Sequence, residues 1–416
     1  MALTVPSAVY PSERRSVGIG LEAVPGTGVN SLYTIPVADF NPEDKVTGLL
    51  DESIRSAMAQ NYGYVQGVYV ADVAIPSSIV YGDTIGHLLW NVLGDMTESG
   101  TPSGTITTTV NNGPGYPAGT TGAITITAGS GFGAGYMQMG TTTTSEVVNI
   151  TGATATSATI ATTTPTRFAH ANAAAVTQVV APYTHVFSLL NGTGNAQPPT
   201  HTITDYNYIN SSVHSRWYPF TCLSEITLTG NAEALFKYTA KGMGYANSVP
   251  GTTPTVNVST VTAMPSWDSQ IGLGGTVSGA PYYGIAEWEI TLDRVVEAYF
   301  TADGSQNPYY IGRGKFRSMG KFNFSPAISE IALTELLSNT QPQMQIIQTN
   351  AAANETVQFD MAVAAFDTSA IQSGKALLGF NDSVEFIANP TNTGNSAGYS
   401  PLAITVTNTF PTYNVT

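Results

Sequence analysis

Charge is what this chain has least of. Asp, Glu, Lys and Arg make up 10% of its 416 residues, against roughly 25% in ordinary soluble domains. A surface so poor in charge must be covered by Thr, Ser, Asn, Gly and Tyr, or buried against other chains. The second option points to an assembly subunit. Bases are scarcer still: 14 Lys plus Arg stand against 28 Asp plus Glu, a formal net charge of −14. That balance argues against wrapping nucleic acid, which needs a basic stripe. It is compatible with a surface that DNA slides past without sticking. A single cysteine, Cys222, excludes an intrachain disulfide and reads as a small core residue. No window approaches the roughly 18–20 apolar residues of a membrane span. The stretch MALTVPSAVYPSERR has no basic segment leading into an apolar one, so no signal peptide is evident. The expectation is a chain made in a cytoplasm, with no membrane partner.

Catalytic motifs are equally sparse. The five histidines, His87, His170, His185, His201 and His214, are scattered, with no HExxH pair and no tight carboxylate-histidine cluster. His201, Asp205 and His214 are a set that adjacent strands could bring together, but their spacing is a weak metal signal. There is no GxSxG elbow and no Walker loop. The reading is a non-enzyme without a cofactor.

What the sequence does have is strand periodicity. HTITDYNY, SEITLTG, LFKYTAKGMG, EWEITLDRVVEAY, TVQFDMAVAAF, VEFIANP and LAITVTNTF alternate apolar and polar residues with period two. Helical signals are few and short. YGDTIGHLLWNVLGDM puts Ile85, Leu88, Leu89, Val92 and Leu93 on one face, with Asp83 as N-cap. SEIALTELLSNT repeats the design with Ile331, Leu333, Leu336 and Leu337, capped by Ser329. Residues 101–181 carry two charges, Glu146 and Arg167, and several short β runs between turn signals. They predict a small β-domain inserted in a loop. The remainder repeats an order of elements: an Ile-Gly-Leu strand, a long polar connector, another strand, one short helix, then further strands. The expected fold is therefore mainly β, with two tandem β-sandwich or barrel domains, each with one short α-helix, plus the insert. Residues 1–100 with 182–250 form the first domain, 101–181 the insert, and 251–416 the second.

Two features invite a functional reading. In EWEITLD, alternation places Glu287, Glu289 and Asp293 on one face and Trp288, Ile290 and Leu292 on the other. The plain reading is a solvated sheet face; the sharper one is the lining of an acidic channel. FTADGSQNPYYIGRGKF (300–316) holds Arg313 and Lys315 between glycines. It reads as a phosphate grip, as an idle loop, or as an interaction arm through Tyr309, Tyr310 and Arg313, residue types that interfaces favour. The arm ranks first, because two bases in an acidic chain make a poor phosphate site.

With these pieces in hand, the sequence resembles the major tail (tail tube) proteins of long-tailed, non-contractile bacteriophages. The resemblance is carried by NPEDKVTGLLDESIRSAMAQNYGYVQG (41–67), DTIGHLLWNVLGD (83–95), YTHVFSLLN, QPPTHTITDYN, SEITLTGNAEALFKYTAKGMG (224–244) and the 300–316 stretch. It spans nearly the whole chain outside the insert. It implies β-sandwich tube domains flanked by a helix, whose inner strands join neighbours into rings. The rings stack into a tube through which DNA passes, and a long connector of each domain reaches the adjacent ring. The connectors here are 41–67 and 300–316, with Asp51, Glu52, Arg55, Tyr62, Tyr64, Asp303, Asn307, Tyr309, Tyr310, Arg313 and Lys315 as inter-ring contacts. Glu287, Glu289 and Asp293 then become candidate lumen residues. Implied partners are further copies of the chain, as trimeric rings with pseudo-sixfold symmetry, together with tape measure, tail terminator and distal tail proteins, and DNA passing without specific binding. The implied location is the virion, with the insert decorating the outside. The alternative is a secreted or surface β-rich carbohydrate-binding or adhesin protein.

Overall fold

Alternating sequence becomes strand through most of the chain. A computed structural model describes residues 15–31, 33–53, 55–56, 58–128, 131–191, 195–207, 215–246, 258–324, 331–372, 379–392 and 398–415. The first elements are β1 (Arg15–Leu21), β2 (Tyr33–Ile35), β3 (Asn41–Asp51), β4 (Gly63–Ile79), α1 (Ile85–Leu93) and β5 (Gly94–Thr109). Then come β6 (Gly122–Thr125), β7 (Gly135–Met139), β8 (Glu146–Thr154), β9 (Ser157–Ile160), β10 (Ala175–Leu189), β11 (His201–Asn207), β12 (Arg216–Asn231) and β13 (Lys237–Gly244). The rest are β14 (Ser269–Leu273), β15 (Pro281–Tyr282), β16 (Ile285–Tyr299), β17 (Tyr310–Phe324), α2 (Ile331–Ser338), β18 (Met344–Asn350), β19 (Glu355–Met361), β20 (Ala364–Gln372), β21 (Gly379–Phe386) and β22 (Ala403–Asn408). Among the described residues the fold is mainly β, with two large antiparallel sheets and two α-helices.

One sheet contains an unbroken run of eight strands, β3-β4-β13-β12-β16-β17-β21-β20. The order repeats after four. A long hairpin (β3–β4, then β16–β17) is followed by a helix and a hairpin in the other sheet (β5–β10, then β18–β19). A second hairpin (β12–β13, then β20–β21) then returns to the first sheet. The second sheet runs β15-β14-β18-β19-β22-β10-β7-β8-β9-β6, with β5 on β10. Both sheets cross residue 250, because β12 pairs with β16 and β10 with β22. The apolar faces of both meet in one hydrophobic cluster, from Val17 to Tyr413 in the chain, that also takes in α1. A second cluster, including Ile124, Met137, Val148 and Ile160, lies within 101–181 and gives that segment a core of its own.

The helices correct the sequence reading in detail. All nine residues of α1 are buried, not one face alone. It begins after Thr84 rather than at an Asp83 cap, and ends at Leu93, where Gly94 at φ +92° turns the chain directly into β5. On α2, Ala332 is buried and Leu336 packs on the core, but Leu337 is 78% exposed. Its expected cap, Ser329, lies outside the described residues, as does His214. Among the described residues no helix is long and apolar enough to cross a membrane.

Candidate functional site

The 41–67 connector is a β-hairpin arm rather than an irregular loop. β3 runs for 11 residues, on the order of 35 Å at about 3.3 Å per residue. Val46, Leu49, Leu50, Tyr64 and Val65 are exposed, Leu49 and Leu50 to 53% and 52%. Their spacing fits no single strand face, so the outer part of the arm is open on both sides. At the tip, Asp51 accepts from Ser53 and pairs with Arg55, whose guanidinium lies 5.1 Å from the Tyr62 ring centroid. Those Ser53 bonds, with Arg55, hold the Asp51 carboxyl below its usual range. Glu52 accepts from Gln60 at 3.2 Å. The tip is thus tied to itself, while its apolar residues stay uncovered.

The 300–316 stretch is shorter as a connector than the sequence suggested. β17 starts at Tyr310 and Tyr299 pairs with it, leaving 300–309 as the hairpin loop. Asp303 accepts from Thr301 Oγ1 and the Ser305 N–H, which shapes the turn. Tyr309 is 66% exposed and Lys315 is exposed, whereas Asn307 is half-buried. Tyr310 is half-buried with its ring 5.4 Å from that of Phe220. The loop also touches the arm: the Tyr69 N–H donates to Gln306 O at 3.0 Å, and Gln306 Nε2 donates to Gly67 O at 2.9 Å. Sequence reading gave each half its own connector; the fold braces one against the other at one end of the molecule.

Arg313 overturns its expected role. It is 5% exposed, and its guanidinium donates to Asn91 O at 2.9 Å, Pro199 O at 3.1 Å and Pro198 O. Arg294, 3% exposed, donates to Val92 O at 2.6 Å and Ala196 O at 3.2 Å. Two arginines from one hairpin therefore satisfy the last carbonyls of α1, where the helix dipole favours positive charge. Burial, then the mutual repulsion of the pair, lowers the Arg294 pKa to about 10, and burial lowers that of Arg313. Neither arginine is free to grip phosphate or a neighbour. A signal for Arg294 was present: Trp288, Ile290, Leu292 and Arg294 continue one inward face.

The outward face of the eight-stranded sheet gathers the three carboxylates as the alternation requires. Glu287 is exposed, and Glu289 and Asp293 are half-buried, opposite Asn323, Lys321 and Arg317. The face is not purely acidic. Cross-strand ion pairs join Lys321 to Glu289 at 2.9 Å, Lys241 to Glu225 at 2.9 Å, Arg317 to Glu385 and Lys45 to Asp72. Thr227 and Thr291 lie between the pairs.

Two buried polar clusters escaped the sequence reading, because their members are far apart in the chain. Around α1, the His87 ring lies 6.0 Å from that of His201 and 4.9 Å from that of Tyr413. Asn91 Nδ2 donates to His201 Nδ1 at 2.9 Å. Burial, helped by His185, pulls the His87 pKa down to about 3, and burial drives His201 well below its usual value, so both are neutral core groups. The second cluster fastens 101–181 to the rest. Arg167 approaches Glu98 at 3.6 Å, Glu98 meets His185 Nδ1 at 3.3 Å, and Thr412 Oγ1 and the Tyr413 N–H donate to the same carboxylate. Burial pushes Glu98 up, but the charges of Arg167 and His185, with hydrogen bonds, outweigh it and hold the carboxyl below its ordinary value.

No family model matches the chain, and no curated protein is significantly similar to it.

Proposed function

We propose that this chain is a structural, non-enzymatic tube subunit, the major tail protein of a long-tailed, non-contractile phage. Copies join edge to edge into rings, and rings stack into the channel through which DNA leaves the virion. The observation that carries this reading is the eight-stranded run, in which one four-strand order occurs twice and both ends stay open. Among the described residues β3 pairs with β4 alone and β20 with β21 alone. Open edges aggregate unless they are paired. Joining β20 of one copy to β3 of the next makes a heterologous contact that closes about an axis.

On this reading each chain supplies two tandem tube domains, so three chains form a pseudo-sixfold ring. The arm at 41–67 and the loop at 300–309 are the inter-ring contacts, with Arg313 withdrawn from that set. The outward sheet face becomes the lumen. Its bases are largely spent on carboxylates across the strands, which leaves phosphate little to bind. The 101–181 unit decorates the outside, and tape measure, terminator and distal tail proteins meet the ends of the tube. Negative-stain microscopy of the purified protein tests the class. Long tubes with a central channel are expected; monomers that stay dispersed at high concentration would sink it.

A further inference from the structure

Between the two sheets, at the end of the β16–β17 hairpin away from the arm, lies a cavity of about 770 Å³. Among the described residues its lining holds no Asp, Glu, Lys, Arg or His. Two large aromatic rings stand at its mouth: Trp267 is 69% exposed and Tyr283 77%. Deeper in, Trp288 donates its indole N–H to Ser269 Oγ at 3.2 Å. Gly230 makes room for that ring, since a Cβ there would sit 2.3 Å from the Trp288 indole nitrogen. Ser266 contributes to the wall, but its Oγ is shut off from the cavity, so the polar side chain that meets a ligand is the exposed Gln270. Gln345 is already committed, accepting from the Val277 N–H at 2.8 Å and donating to Asp360 at 2.6 Å, so it forms a fixed polar wall.

We propose that this cavity binds a neutral saccharide. The volume falls within the roughly 300–1,000 Å³ of small-molecule sites. The absence of charge disfavours phosphates, nucleotides, metal ions and acidic peptides, which need an opposite charge or hard ligands. A purely apolar ligand would keep part of its own surface in water at the open mouth. A sugar ring has an apolar face for Trp267 or Tyr283 and hydroxyls for the exposed Gln270 carboxamide. It is the class that uses aromatic faces, hydroxyls and carboxamides together without charge. The proposal is independent of the tube reading.

The test is Trp fluorescence of the full chain titrated with glucose, galactose, mannose and arabinose, and with their neutral oligomers of two to six units. Oligogalacturonate serves as the charged control. Saturable binding of at least one neutral series is expected, with no response to the control. Trp267→Ala, at an exposed site that leaves the fold intact by circular dichroism, should weaken it about tenfold or more, as loss of a central aromatic contact does. Gln270→Ala should weaken the same sugar. Affinity that stops rising at one or two units assigns the site to a free sugar; continued gain with length assigns it to a polymer on a surface. No saturable response to any neutral series overturns the proposal. So does a response that persists in Trp267→Ala, or capture in this cavity of a synthetic 41–67 peptide but of no sugar.

Discussion

Arg313 shows what a residue type reveals and what it hides. A base between glycines in a sequence poor in bases suggests an exposed contact, yet strand alternation and a helix end decide where it points. Arg313→Met leaves the Asn91, Pro198 and Pro199 carbonyls without their donor, and it should cost about 2–4 kcal/mol in chemical denaturation. Tyr309→Ala, at 66% exposure, should cost under about 0.5 kcal/mol while still impairing assembly. Titration adds a second residue-level prediction. Glu355 is buried, and burial, with the nearby Asp83 charge, raises its pKa to about 7. A raised carboxyl contributes stability that is complete below its unfolded value and is lost as pH rises through about 7. His87, lowered to about 3, has the opposite sign: its contribution is complete above its unfolded value of 6.5 and is lost as pH falls toward 3. Glu355→Gln should therefore gain on the order of 1–3 kcal/mol at pH 8 and little at pH 4, measured by thermal melts across pH. An equal gain at both pH values would contradict it.

At the level of elements, periodicity was the legible part. The strands at 201–207, 216–231, 237–244, 285–299 and 403–408 lie where two-residue alternation put them; 285–299 and 403–408 have one face on the core, whereas 201–206 and 218–223 are buried on both faces. The arm was legible as a connector but not as a strand pair. Val46, Leu49 and Leu50 break the alternation, since no core lies beneath them. An isolated two-stranded hairpin is marginal in water, so exposed apolar residues along it call for a covering surface. Leu49→Asp with Leu50→Asp should leave the melting temperature of the monomer nearly unchanged and abolish tubes in microscopy. The β runs of 101–181 were legible, but not that β5 and β10 cross its expected bounds and carry its strands into the second large sheet. Excising it between Gly100 and Tyr183, which face each other across β5 and β10, removes Arg167 from the buried Glu98 carboxylate and leaves it His185, Thr412 and the Tyr413 N–H. Excision alone should destabilise the protein by about 2–4 kcal/mol, and Glu98→Gln in the excised chain should recover part of it. Recovery of nothing would show that the carboxylate is not the cause.

At the level of the whole molecule, the expected repeat holds only in part: the hairpin-helix-strand order recurs along one sheet, but the Ile-Gly-Leu strands read as equivalent do not match, since β1 pairs with β11 in that sheet and β14 with β18 in the other. What single-chain periodicity could not show is that the halves share a core and that β12 lies against β16. Pairing between distant strands leaves no local pattern. The same limit hid the His87–His201 contact and the anchoring of α1 by two arginines. On the proposed tube reading, the edges of β3 and β20, unpaired among the described residues, and the uncovered arm are the surfaces that neighbouring copies would cover. The most direct measurement is a cryo-electron microscopy cross-section of purified tubes. The account predicts rings of three full-length chains, with β20 of each lying beside β3 of the next around a central channel. Rings of six full-length chains, or edges left apart, would contradict it.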